Sequence, residues 1–148
     1  MSTSNQMIEI LLVEDNPGDQ QLTVEAFKGA KISNHLNVVS NGEEALRFLR
    51  NEAPYEDAVR PDLMLLDLNM PKMDGRELLS HIKQDDDLKS IPVVIMTTSS
   101  AEEDIQESYA LHANCYITKP LNLDQFMTVV DAIEGFWLSI VKFPVATP

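Results

Sequence analysis

A chain of 148 residues is enough for one domain with one core and too short for a second. A single domain over 1–148 is expected, with a short polar tail, a core from about 8 to 141 and an apolar extension over 136–148. The 24 acidic residues against 11 basic ones give a formal charge of −13 with no basic cluster, which excludes duplex DNA and an anionic membrane as partners.

The single cysteine, Cys115, excludes an internal disulfide and a cysteine-rich metal site, and its apolar surroundings mark it as a small buried hydrophobe. His35, His81 and His112 lack ligand spacing. Neither a charged-then-apolar leader nor an apolar run long enough to cross a bilayer is present. A cytoplasmic location is expected.

In chain order, Ile8–Val13 reads as a strand ending in two acids, Glu14 and Asp15. Asn16 offers an N-cap and Pro17 the first helical position, after which Leu22, Ala26 and Ala30 recur on one face with Phe27 at its flank. The strand–helix unit then returns. Leu36–Ser40 is a short strand, Asn41-Gly42 a turn, and Ala45, Leu46, Phe48 and Leu49 one side of a second helix. The polar, proline-bounded stretch Asn51–Pro61 is a loop, long for such a connection. Asp62–Leu68 is a leucine-rich strand with Asp67 at its carboxyl end and a break at Pro71. The next loop ends at Asp74-Gly75, a third helix buries Leu78, Leu79 and Ile82, and Lys83–Ser90 is a charged, mostly solvated connection. Pro92–Thr97 is a β-branched strand ending in hydroxyl residues. The fourth helix has a thin apolar face, Ala101, Ile105 and Tyr109, which implies weak anchoring. Cys115–Thr118 is the last strand, ending at Lys119-Pro120, and Leu123, Phe126, Val130, Ile133 and Trp137 form the inward stripe of a long final helix. This alternation requires an α/β architecture, a parallel sheet covered on both faces with right-handed crossovers.

In a parallel sheet the carboxyl ends of all strands share one edge, where open α/β sheets carry their chemistry. Glu14, Asp15, Asp67, Thr97 and Lys119 stand at such ends and should converge in one crevice, although each alone has a plain reading as a cap, a strand former or a solvated charge. Clustered carboxylates repel one another, and a hard divalent cation with oxygen ligands, Mg²⁺ by preference, relieves the repulsion. That cation and a lysine could neutralise an incoming phosphoryl group, with the Thr97 hydroxyl donating to one of its oxygens and Asp67 as the nucleophile of an aspartyl phosphate.

On these residues the chain resembles a two-component response-regulator receiver domain. The motifs Val13-Glu14-Asp15-Asn16, Leu65-Leu66-Asp67-Leu68-Asn69-Met70-Pro71, Asp74-Gly75, Thr97-Thr98 and Lys119-Pro120 stand in family order across nearly the whole sequence. The resemblance implies a flavodoxin-like (βα)5 doubly wound sandwich, a five-stranded parallel sheet of order 2-1-3-4-5. It implies that Asp67 is the phosphoacceptor. Mg²⁺ would be held by Asp15 directly, by Glu14 through water, by Asp67 and by the backbone carbonyl of Asn69, while Thr97 and Lys119 contact the phosphoryl oxygens. It further implies a switch in which Thr97 moves inward and Tyr116 rotates into the vacated space, the plain alternative being a half-buried strand aromatic. Asn69 and Ser99 fall where the family tunes hydrolysis. Glu14 in place of aspartate is a tolerated variation.

No DNA-binding domain follows, so the resemblance implies a stand-alone regulator. It would accept phosphate from a histidine kinase, signal through protein contacts, and catalyse only its own phosphorylation and hydrolysis. The final helix carries apolar residues off its inward stripe, Val129, Phe136 and Ile140, with Phe143 beyond. With Tyr109 they form a candidate partner face, a second copy of the chain being one occupant and a folded-back tail the alternative. The run Asp74-Gly75-Arg76-Glu77-Leu78, the loop Asn51–Pro61, the segment Tyr109–Tyr116 and the ending Gly135-Phe136-Trp137-Leu138 are similar to a narrower group. Its members are single-domain regulators that pair with bacterial phytochromes, light-sensing histidine kinases, and dimerise through the face of the fourth and fifth helices. Two other readings compete. A phosphatase of the haloacid-dehalogenase type would also place an aspartate after an apolar strand, but it requires a second acid where this chain has Asn69. A receiver-like scaffold that is never phosphorylated would be expected to lose the acceptor or the acid pair, and both are kept.

Overall fold

The computed structural model describes residues 7–31, 33–68, 70, 73–97, 115–118 and 122–140, with the backbone alone at Thr97, Cys115, Tyr116, Thr118 and 136–140. Its elements are β1 (Ile8–Val13), α1 (Pro17–Lys28), β2 (Asn34–Val39), α2 (Gly42–Leu49), β3 (Leu63–Leu66), α3 (Gly75–Lys83), β4 (Val93–Thr97), β5 (Cys115–Thr118) and a last helix, Leu123–Ile140. The strands form one parallel sheet in the order 2-1-3-4-5. The predicted fourth helix, with Ala101, Ile105 and Tyr109, lies outside the described residues.

Alternation along the central strands divides the interior into two cores. Leu11 and Val13 of β1 and Met64 and Leu66 of β3 face one side, against Ala45, Leu46 and Phe48 of α2 and Leu78, Leu79 and Ile82 of α3. Ile10, Leu12, Leu63 and Leu65 face the other, against Ala26 and Phe27 of α1 and Phe126, Val130 and Ile133 of the last helix. Because both faces are covered, β3 reads as an unbroken apolar run, and β1 does so from Ile10 to Val13, after Glu9. Each fully buried leucine here contributes about 2 kcal/mol of hydrophobic stabilisation. The buried acids next to the sheet, Glu14 and Asp67, accordingly stand at the strand ends.

The helix starts are set by side chains. Asn16 Oδ1 accepts from the Asp19 amide at 3.0 Å, with Pro17 next to it where a missing N–H costs nothing. Asn41, read as part of a turn, is the N-cap of α2: its Oδ1 accepts from the Glu44 amide at 2.9 Å, and Glu44 reaches back to the Ser40 amide at 2.9 Å. Asp74 caps α3 in the same way, accepting from the Glu77 amide at 3.0 Å. Asn51 closes α2 with a left-handed φ of 55° and donates to Ala58 O at 2.8 Å, while Tyr55 packs on Phe48 with ring centroids 5.5 Å apart. The long loop is thus tied to the core.

Further details depart from the sequence expectation, beginning with the strands expected over Leu36–Ser40 and Asp62–Leu68, which run over Asn34–Val39 and Leu63–Leu66. Phe27 is a core residue, not a flank, and the inward stripe of α1 runs through Thr23, Ala26 and Phe27, with Leu22 and Ala30 only partly buried. Thr23 can face inward because its hydroxyl donates to Asp19 O at 2.8 Å. The Lys83–Ser90 connection is not merely solvated: Leu88 and the adjoining Ile91 are buried, and the half-buried Lys83 ammonium donates to Lys89 O at 3.0 Å and Ile91 O at 3.3 Å. Leu123 stands 38% exposed, because it occupies the first helical position, a turn ahead of the buried stretch from Phe126.

Candidate functional site

Register brings the first two acidic stations together. Val13 pairs with Leu66, so Glu14 and Asp67, the residues immediately after β1 and β3, lie side by side. The ladder extends one step beyond the strands, with the Asp67 amide donating to Val13 O at 3.1 Å and the Glu14 amide to Val39 O at 3.0 Å. Glu14 and Asp67 are buried and Asp15 is half-buried, and one carboxylate oxygen from each lies within 4.8 Å of the others. At an effective dielectric of about 20, like charges this close repel by a few kcal/mol per pair. Their charge calls for compensation.

Backbone contacts hold the acids in place. The Glu14 carboxylate accepts from the Asn16 amide at 3.1 Å, and its backbone carbonyl accepts from Gln20 Nε2 at 2.6 Å. Behind Asp67, the start of α3 comes so close that a Cβ on Gly75 would collide with the Asp67 carbonyl oxygen and would lie 2.7 Å from Leu68 Cα. The Gly75 amide donates to Leu68 O at 3.0 Å. Gly42, at the start of α2, closes on the same loop from the other side: a Cβ there would sit 2.7 Å from the Met73 carbonyl oxygen. Neither contact could be seen in the sequence, where Gly75 marked only the end of a loop and Gln20 gave no signal.

Of the expected site residues, the structure gathers Glu14, Asp15 and Asp67. Thr97 ends β4 next to β3, with its backbone level with Thr118 of β5, and Tyr116 is level with Ile95. Asn69, Ser99, Tyr109, Lys119 and Phe143 lie outside the described residues, and Phe136 and Ile140 are described by backbone alone. Val129 is half-buried and packs against the core shared by α1 and the last helix.

The donor set tests the cation. Three carboxylate oxygens grouped on two adjacent strand ends suit a hard divalent ion such as Mg²⁺ or Mn²⁺, which takes oxygen ligands and keeps several waters. The residues present fit the group.

A doubly wound 2-1-3-4-5 sheet with an acid pair after the first strand and an aspartate after the third defines a phosphoacceptor signalling module. The response regulator receiver domain model matches residues 10–131, and the chain belongs to that family. Among its relatives, the response regulator Rcp1 of Synechocystis sp. is 49% identical over 143 residues, 97% of each chain. The crystal structure of the phosphorylated cyanobacterial phytochrome response regulator RcpA superposes with a TM-score of 0.86 at 51% identity, covering 93% of this chain and 99% of that one. The Mn²⁺-bound form of Rcp1 superposes at 0.83 with 48% identity and the same coverage.

The protein is therefore a response-regulator receiver of the two-component phosphorelay, similar to the phytochrome response regulators. Receiver domains are signalling proteins that interact with histidine kinases and bind a divalent metal. The dehalogenase-type phosphatase is not favoured. Among the described residues no helix is long and apolar enough to cross a membrane.

Proposed function

We propose that Asp67 accepts the phosphoryl group and that Glu14, Asp15, Asp67 and the backbone carbonyl of Asn69 hold Mg²⁺. The observation that carries this reading is the convergence of Glu14, Asp15 and Asp67 within 4.8 Å at the sheet edge. In the step itself an Asp67 carboxylate oxygen attacks phosphorus, the P–N bond of a kinase phosphohistidine breaks, and its electron pair returns to the imidazole nitrogen. The bound cation supplies positive charge against the phosphoryl oxygens. Lys119 and Thr97 take the remaining oxygens, and the Thr97 and Tyr116 pair passes the state to the surface. Asn69 and Ser99 set how fast water removes the group. Chemistry is confined to this self-phosphorylation and self-hydrolysis, without turnover of an outside substrate.

The cognate kinase is a phytochrome in this reading, which rests on the likeness to Rcp1 and to the phytochrome regulator RcpA. The protein acts in the cytoplasm, away from DNA and membranes, as its charge of −13 favours. Its output face, carried by Tyr109, Val129, Phe136, Ile140 and Phe143, takes a second copy of the chain. Phosphotransfer from a purified, prephosphorylated phytochrome kinase tests the first part: label should move to the wild type and not to Asp67→Asn. Transfer to both, or to neither while a non-phytochrome kinase succeeds, would contradict it. Light scattering before and after phosphorylation tests the second, and a monomer under both conditions would remove the second copy from the account.

A further inference from the structure

The acid pair follows the last ladder bonds of β1. The Glu14 amide is tied to Val39 O on one side, and the preceding carbonyl, Val13 O, is taken by the Asp67 amide on the other. A buried carbonyl at the end of a ladder takes a hydrogen-bond donor. Gln20, one turn into α1 and half-buried, provides it: Nε2 lies 2.6 Å from Glu14 O and 3.5 Å from Ser40 Oγ. This carbonyl belongs to the peptide that joins Glu14 to Asp15, so the bond fixes the plane from which the Asp15 carboxylate projects. The Glu14 side chain has its own tie, to the Asn16 amide at 3.1 Å. For Asp15 the peptide plane is the anchor.

We propose that Gln20 is a positioning residue for the cation site, holding the Glu14–Asp15 peptide so that the two carboxylates face Asp67 before the cation arrives. It touches neither cation nor phosphoryl group. Groups of this kind, which orient ligands without binding the metal, typically alter affinity 10- to 100-fold when removed. The inference rests on the reading of Glu14, Asp15 and Asp67 as the cation site.

Mg²⁺ titration by calorimetry, on the wild type, Gln20→Met, Ser40→Ala and Asp67→Asn, tests it, together with thermal melting in Mg²⁺-free buffer. Gln20→Met keeps the length of the side chain and loses the donor. The expected result is a Kd for Mg²⁺ raised about tenfold in Gln20→Met, with Ser40→Ala unchanged. Phosphorylation by acetyl phosphate should need correspondingly more Mg²⁺ for half-maximal rate and regain the wild-type rate at saturation. A Gln20→Met protein that melts lower but binds Mg²⁺ like the wild type would reduce Gln20 to a structural role and overturn the proposal. Equal losses in Gln20→Met and Ser40→Ala would overturn the assignment to the Glu14 carbonyl. Failure of the wild type itself to bind Mg²⁺, or binding undiminished in Asp67→Asn, would instead defeat the cation-site reading on which the proposal stands.

Discussion

The first residue of α3 lies against the backbone of Asp67, and only a hydrogen fits between them. Any side chain at Gly75 would push on the Asp67 carbonyl oxygen and on Leu68 Cα, both main-chain atoms with little freedom to yield. Gly75→Ala should therefore destabilise the fold by about 1–3 kcal/mol, the usual cost of overpacking, and weaken Mg²⁺ binding as well. Urea unfolding and a Mg²⁺ titration would check both, and unchanged values would show that the loop moves aside freely. The sequence showed that Asp67 ends an apolar strand, because hydropathy stops there. It could not show what stands behind Asp67 or what holds the Glu14 carbonyl, since these contacts join residues through backbone approach and amide reach, which leave no periodic trace. Glu14 and Asp15 were legible for the opposite reason: parallel strands bring their ends to one edge whatever the details of packing.

Element by element, the chain's own chemistry predicts how each piece responds to change. Gly135 lies in the last helix without a positive φ, and among the described residues nothing beyond its own helix backbone lies within 4 Å of where its Cβ would be. Gly135→Ala should stabilise the protein by up to about 1 kcal/mol, the helix-propensity difference, opposite in sign to the same change at Gly75. Paired urea melts read the contrast directly. After α3, Lys83 clips the following turn through Lys89 O and Ile91 O, and its pKa is lowered from 10.5 by burial. Because the unfolded chain holds this proton more tightly, the site's contribution is smallest at neutral pH and grows as pH rises through the lowered pKa towards 10.5, while the neutral amine can still donate. Lys83→Met, which loses both hydrogen bonds, should cost about 1–2 kcal/mol, and the gap from wild type should widen between neutral pH and the lysine range. A gap that narrows would reverse the sign assigned here. This turn also marks a limit of pattern reading. Leu88 is one apolar residue among charges and Ile91 adjoins a proline, so they form no stripe, and only the fold reveals that they are buried. The cap at Asn16 was plainer, since a polar residue just ahead of a proline and an apolar-periodic run has one strongly preferred role, whereas Asp74 was read only as the end of a loop.

For the whole molecule, a net charge of −13 and a buried carboxylate cluster work against compaction until a cation is present. Ligand linkage makes this measurable: Mg²⁺ at a hundred times its Kd should stabilise the wild type by about 2.7 kcal/mol, and chelation should remove that gain. Asp67→Asn, which relieves one charge of the cluster, should be more stable than the wild type without Mg²⁺ and gain less from adding it. A thermal shift series with Mg²⁺ and with a chelator would show both effects, and an equal Mg²⁺ gain in the two proteins would argue against a shared site. The architecture itself was legible from the recurring apolar segments because both faces of the sheet are covered, leaving Ile10–Val13 of β1 and all of β3 little choice but continuous apolar runs. The most direct test of the central claim is intact mass after incubation with acetyl phosphate, with and without Mg²⁺, on wild type and Asp67→Asn. The account predicts a gain of one phosphoryl group in the wild type, only with Mg²⁺, and none in Asp67→Asn. A gain in Asp67→Asn, or none in a wild type that binds Mg²⁺, would contradict it.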